Sequence, residues 1–222
     1  MTATLEAAFA AFDDPDEMTR LDAGHDVQAD TADTVERLVA LLADPRPRVR
    51  ATAAYTLGQM ATQVQAMSDE EREADPALAA RAAKIPGTLS AVHALFDDPD
   101  AAVRSAAYAA VFFYDQVQRD RDRWFAVAVA GLDSDDAGTR ATAAHAVYRF
   151  DRSSELAAHA FGRILREPER PGSNDWQEAG MMLGTMEISG MCAARDVRAR
   201  LEETRSPELY ATLAAALDAI WV

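Results

Sequence analysis

One sequence phrase occurs four times in this chain, and it constrains the fold more than any other feature. Its clearest copies read DPRPRVRATAAY at residues 44–55 and DPDAAVRSAAY at residues 98–108, and weaker copies lie at 14–25 and 134–145. Self-similarity at a spacing of some tens of residues is typical of stacked helical hairpins. The sequence therefore predicts a repeat architecture made of helices.

An arginine sets the register of each copy. The anchor positions are Arg20, Arg50, Arg104 and Arg140, followed by degenerate units at Trp176 and Tyr210, at intervals of 30, 54, 36, 36 and 34 residues. Three residues past the anchors stand Ala23, Ala53, Ala107, Ala143, Ala179 and Leu213. Seven residues past them stand Val27, Leu57, Val111, Val147, Leu183 and Leu217. Spacings of three, four and seven share one helical face, so we expect these two columns to form the core.

Each unit is predicted to be a short apolar helix, a tight turn and a second helix. The expected N-caps of the second helices are Asp14, Asp44, Asp98, Ser134 and Ser206, and proline follows most of them. The short helices are expected at 5–12, 35–42, 89–96, 124–132 and 156–165. No segment alternates polar and apolar residues with a period of two, so we expect no sheet. The predicted fold class is all-α, a right-handed α-solenoid of five to six helical hairpins.

We predict one repeat domain over residues 1-222. Its units are about 1-31, 32-62, 88-118, 121-152, 153-188 and 193-222, with a helical insertion at 63-87. In the insertion, Ser68 and Glu71 have capping-box spacing, and Asp75-Pro76 marks another helix start. We therefore expect an overlong second helix, a turn and a short extra helix that ends near Pro86. The insertion is either a docking feature or an elaboration without function.

Composition limits the classes of partner and of compartment. The formal net charge is −15, and residues 1–44 hold eleven acidic residues against two arginines. Such a chain repels phosphate backbones, which disfavours nucleic acid; the charge serves either solubility or attraction to a basic protein. The chain has one cysteine, no signal-peptide pattern and no apolar run long enough to span a membrane. We therefore expect a cytoplasmic protein.

The repeated residues resemble the HEAT repeat family, in its short bacterial form also seen in phycobilin lyase subunits. The resemblance is carried by the Asp-Pro turns, the Val-Arg pairs at 49–50 and 103–104, and the Ala-Ala…Leu-Gly run within 53–58. In that family the recurrent aspartates and arginines form a ladder between neighbouring repeats. The resemblance assigns this structural role to Asp14, Asp44, Asp98, Arg20, Arg50, Arg104 and Arg140. The alternative is that the aligned arginines grip an anion.

The sequence contains no recognisable catalytic constellation. The histidines are His25, His93, His145 and His159, and none forms the His-Glu pairs on which di-iron hydroxylases built from HEAT repeats rely. Cys192 has no evident base beside it, and no Gly-rich phosphate loop is present. We expect no catalytic residue, no metal and no cofactor.

A binding surface is the remaining functional hypothesis. In the HEAT family the second helices line the concave face, where this chain places Tyr55, Gln59, Phe112, Phe113, His145, Tyr148, Arg149 and Met181. Aromatic residues beside arginine are frequent anchors of protein interfaces. The alternative for Phe112 and Tyr148 is packing between repeats. The functional hypothesis is a non-enzymatic scaffold for protein-protein interaction; the alternative is a HEAT-like enzyme such as a bilin lyase or a DNA glycosylase-like protein.

Overall fold

The computed structural model describes residues 3–28, 33–152, 154–167, 175–186, 192–204 and 206–220, and these residues form helices without a strand. The predicted all-α class is confirmed. The chain divides into two compact units, Met1–Arg121 and Asp122–Val222. The division falls at the start of the predicted repeat unit 121-152. The single domain and the right-handed superhelix stay predictions.

The first unit is a series of hairpins with an insertion. Its helices are α1 Ala3–Ala10, α2 Glu17–Gln28, α3 Asp33–Leu41, α4 Pro47–Ala66, α5 Asp69–Ala74, α6 Pro76–Lys84, α7 Leu89–His93, α8 Ala101–Val111 and α9 Asp115–Arg119. Short 3-10 turns lie at Ala11–Asp13, Ile85–Thr88 and Ala94–Asp97. The second helices α2, α4 and α8 lie side by side, because α4 packs against both of the others.

The second unit continues the pattern. Its helices are α10 Arg121–Gly131, α11 Ala137–Phe150, α12 Glu155–Arg166, α13 Asp175–Thr185, α14 Ala194–Glu203 and α15 Pro207–Ile220. Helix α12 packs against α11, α13 and α14, and α15 packs against α13 and α14. The short helices expected from the sequence are present in both units within a few residues of their predicted bounds.

The two predicted core columns are buried. Every residue three past an anchor is at most 5% exposed, and five of the six residues seven past an anchor have no exposed surface. The exception is Leu217, which is half-buried. It lies on α15, the last described helix, so no later described helix covers it.

Most second helices begin two residues later than expected, which corrects the predicted N-caps. The side chains of Asp14, Asp44, Asp98 and Ser134 accept the N–H of the residue two positions on. Such a local turn occupies the acceptor that was expected to cap the helix. The caps with side-chain acceptors are instead Asp16, Asp100 and Asp136, whereas the N-cap of α4 is Arg46, whose side chain makes no capping bond to the helix. Only Ser206 accepts as predicted, from Leu209 N–H.

The two predicted caps of the insertion are formed. The insertion contains two short helices, α5 and α6, rather than the single short helix expected. The capping box of Ser68 and Glu71 is formed at α5, and Asp75 accepts two N–H groups at the start of α6. Two side chains of α6 contact the first helices of the chain. The buried Arg81 side chain donates to the carbonyl of Gln28, and Lys84 Nζ lies 2.6 Å from Oε1 of Glu36. These contacts tie the insertion to α3 and to the end of α2.

A glycine permits the close approach of α4 and α8. A Cβ on Gly58 would lie 2.5 Å from the Cα and 2.8 Å from the Cβ of Ala110. Real Cβ atoms do not approach a backbone atom so closely, so the two helices would have to move apart. Gly184 has a similar place on α13, where a Cβ would lie 3.1 Å from the Cα of Ala216.

We expect Gly58→Ala to destabilise the protein by about 1–3 kcal/mol, because the cost of overpacking exceeds the higher helix propensity of alanine. Urea unfolding followed by circular dichroism measures the change. Gly87→Ala is the control, since a Cβ there meets nothing within 4 Å. Equal stability of the two variants would contradict the close packing of α4 on α8.

Candidate partner-binding surface

The anchor arginines close their own turns. Arg20, Arg50, Arg104 and Arg140 each donate through Nη1 to the carbonyls of the residues six and five positions earlier. The distances to the first of these carbonyls are 2.6, 2.8, 2.8 and 2.7 Å. Because these carbonyls lie outside the regular helices, helix hydrogen bonds do not reach them, and the guanidinium supplies the donors. The arginine is therefore part of each turn.

One rung of the expected ladder joins neighbouring repeats in the first unit. Arg50 donates from Nε and Nη2 to the two carboxylate oxygens of Asp98, at 2.9 and 2.8 Å. Both side chains are largely buried, with 12% and 7% of their surface exposed. In the second unit Arg140 makes the same fork with Glu167, although the sequence assigned it no acidic partner.

The rung expected at Asp44 is different. Its carboxylate accepts from Nε and Nη2 of Arg46, two residues on, at 2.9 Å each. Arg20 contacts its own turn instead. A local arginine has thus replaced the arginine of the preceding repeat, and the seven-residue ladder is realised only in part.

At the degenerate anchor, two side chains take the place of the missing arginine, Trp176 itself and Arg200. The Trp176 indole N–H donates to the carbonyl of Glu167 at 3.1 Å. Arg200, from the next short helix, donates to the carbonyls of Leu165 and Glu167 and stacks 3.8 Å from the Trp176 ring. Sequence analysis missed Arg200, because it lies outside the repeat columns.

These contacts argue against the anion-gripping alternative. All three nitrogens of the Arg50 guanidinium donate to the protein itself, and so do those of Arg140. Hydrogen bonding to Asp98 raises the pKa of Arg50. Arg50 and Arg140 are therefore engaged by contacts within the protein.

The rungs also fix the charge state of their carboxylates. Burial alone would raise the pKa of Asp98, but hydrogen bonds from Arg50 and from the Asp100 N–H outweigh it and lower the pKa. Hydrogen bonding to Arg46 lowers the pKa of Asp44 to about 2. Both carboxylates are therefore ionised at neutral pH.

Three of the four candidate binding residues in the first unit are accessible. Tyr55 and Gln59 are half-buried on α4, and Phe113 is half-buried just after α8. The Gln65 side chain donates to the carbonyl of Phe113, which joins the end of α4 to the end of α8. Phe112 is only 3% exposed. It belongs to the core and is removed from the predicted surface, because the end of α8 turns its ring inward towards Tyr108.

Helix α2, which packs beside α4, carries exposed acidic residues. Asp22, His25 and Asp26 are exposed there, and Met18 is 62% exposed. We call Asp22, Asp26, Tyr55, Gln59 and Phe113 the N-terminal face. The repeat columns did not single out Met18, which stands two residues before its anchor.

The candidate residues of the second unit lie on α11 and α13. His145 and Tyr148 are half-buried, whereas Arg149 and Met181 are exposed. His145 Nε2 lies 3.6 Å from a carboxylate oxygen of Glu178, which sits one helical turn before Met181. Phe113 and Tyr148, both expected on the concave face, belong to different units, so their grouping on one surface stays a prediction.

The described residues contain no group of three or more His, Cys, Asp or Glu side chains that could hold a metal ion. Within the same part of the chain, no helix has the length and apolar character needed to cross a bilayer.

We expect Arg50→Lys to destabilise the protein by about 2–4 kcal/mol, because lysine cannot replace the fork to a buried carboxylate and two carbonyls at once. Arg46→Lys is the matched control: it alters a pair whose arginine is 52% exposed, and solvent-exposed pairs contribute little to stability. Urea unfolding of both variants measures the difference. Similar losses of stability in the two variants would contradict a larger contribution from the buried Arg50–Asp98 pair.

We expect the stability contributed by Asp98 to depend on pH. Its folded-state pKa is lowered, so the contribution is complete above the unfolded value of about 3.9 and is lost as the pH falls through the folded value. The difference in unfolding free energy between wild type and Asp98→Asn should therefore shrink from pH 5 towards pH 2. Asp133→Asn, at a carboxylate that is 88% exposed, should differ little from wild type throughout. A constant Asp98→Asn difference would contradict the assignment.

Comparison with known proteins agrees with the repeat. The HEAT repeat profile matches residues 35–64, which span most of the α3–α4 hairpin and include the Asp44 turn and Arg50. No curated protein matches the sequence. Among solved structures, human deoxyhypusine hydroxylase in complex with glycerol is 19% identical, over 97% of this chain and 84% of that chain, with a TM-score of 0.34. A TM-score this low carries no argument about activity. The predicted resemblance to the HEAT repeat family is confirmed at residues 35–64.

Proposed function

We propose that this chain is a non-enzymatic scaffold that binds another protein on the outer faces of its second helices, the sides opposite the buried columns. HEAT repeats provide rows of parallel helices whose exposed residues differ from unit to unit. The anchors and core columns are used for packing, so the outer faces are where a partner finds side chains that are not already committed.

The observation that carries the proposal is the composition of the N-terminal face. Three helices packed side by side present acidic residues on α2, then Tyr55 and Gln59 on α4, then Phe113 after α8. Aromatic side chains supply desolvated anchors, and charged residues at the margin set orientation and approach. A surface of this kind suits a protein partner better than a small substrate, which needs a concave pocket.

The charge of this face favours a basic partner. Asp22 and Asp26 are exposed beside Met18, and the chain as a whole carries a net charge of −15. Complementary charge speeds association and makes it sensitive to salt. The same charge disfavours nucleic acid as the partner.

Two glutamate substitutions test the proposal. A partner would be captured from the source cell, identified by mass spectrometry, purified and titrated against wild type, Phe113→Glu and Tyr148→Glu. Burying a charge at an anchor typically costs 2 kcal/mol or more, so we expect at least about a 30-fold loss of affinity for each variant that alters the interface.

Ala126→Glu is the matched control, because it adds the same charge at an exposed position of the short helix α10. Circular dichroism establishes that all variants fold alike. Binding that is lost in Phe113→Glu but retained in Tyr148→Glu would restrict the site to the N-terminal face. Equal affinity of all four proteins would overturn the proposal and favour the HEAT-like enzyme alternative, for which a co-purifying bilin or glycosylase activity is the measurement.

A further inference from the structure

We propose that the groove between α12 and α14 binds a phosphate group. This site is separate from the proposed partner surface and differs from it in charge. It uses side chains that take part neither in the anchor contacts nor in the core columns.

The groove lies between two helices that are in close contact. A Cβ on Gly162 would lie 2.7 Å from a carboxylate oxygen of Asp196 and 3.0 Å from the Cβ of Ala193. A half-open cavity of about 480 Å³ lies between these helices. It is lined by His159 and Arg166 from α12 and by Cys192, Arg195, Asp196 and Ala199 from the α14 side. Small-molecule sites commonly have volumes in this range.

The lining is cationic within an acidic protein. Arg166 and Arg195 carry two positive charges against one carboxylate, and His159 adds a nitrogen that can donate. Guanidinium groups match the geometry of phosphate oxygens and bind them with charge-assisted hydrogen bonds.

Among the lining residues, Arg195 is the strongest indication of a ligand. It is exposed, and none of the carboxylates in the described part of the chain pairs with it. Arg166 has a partner, since its Nε lies 3.5 Å from Asp196, whose side chain is only 17% exposed. Asp196 thereby holds one arginine in the groove, and the second arginine remains available for an anion.

Cys192 supplies a reporter within the groove. It is the single cysteine of the sequence, and its thiol is exposed. Burial, Glu155 and Asp196 raise the pKa of this thiol. A phosphate bound beside it would raise the pKa further and would also obstruct access, so alkylation would slow.

The test is the rate of Cys192 alkylation by iodoacetamide, followed by intact mass at constant pH and ionic strength. We expect 20 mM inorganic phosphate to slow the reaction about threefold relative to chloride, as a rise of half a pKa unit requires. A short peptide with one phosphoserine is the second probe. Protection by the ion alone assigns the site to free phosphate, and stronger protection by the peptide assigns it to a phosphorylated side chain.

Arg195→Gln should abolish the protection. Arg198→Gln is the matched control, because Arg198 is exposed on the same helix and does not line the groove. Phosphorus NMR line broadening with wild type provides a second measurement that does not depend on the thiol. Absence of protection in wild type, or equal protection in both variants, would overturn the proposal.

Discussion

The structure depends on one arrangement, in which a guanidinium closes its own turn and reaches the next hairpin. Arg50 contacts two carbonyls of its turn and both carboxylate oxygens of Asp98. A planar group with five N–H donors can do this, and an ammonium cannot. Because both side chains are mostly buried, the pair fixes where one hairpin sits on another. The tight packing of Gly58 on Ala110 requires that spacing.

The arrangement is defined by its contacts rather than by its residue types. In the second unit Glu167 replaces the aspartate as partner of Arg140. At the following anchor the Trp176 indole and Arg200 together bind the carbonyl that an arginine would have bound. In the units of Arg20, Arg50, Arg104, Arg140 and Trp176, a side chain donates to a partly buried turn carbonyl. Different side chains can supply that donor, which explains how the repeat pattern degenerates while the helices persist.

The sequence predicted the helices, the core columns and the caps of the insertion, because these follow from local spacing. It failed where a side chain had a choice of partners. The side chains of Asp98 and its equivalents accept an N–H within the turn, so the helix caps lie two residues later than expected. Arg46 donates to the Asp44 carboxylate, which was expected to pair with the preceding repeat. For Phe112 the packing alternative holds, because α8 ends at Val111 and the helical periodicity that predicts an outward side chain stops there. Such outcomes depend on three-dimensional competition, which a column of residues does not encode.

The same division between fixed and variable positions bears on function. Side chains that repeat from unit to unit are occupied by the turns and the core, so a ligand must be recognised by those that do not repeat. These differ in character between the two units. The N-terminal face joins exposed carboxylates to Tyr55 and Phe113, whereas the α12–α14 groove presents Arg195 without a carboxylate partner among the described residues. Surfaces of opposite charge do not attract the same ligand. The two proposals, a basic protein at one surface and a phosphate group at the other, are therefore independent of each other.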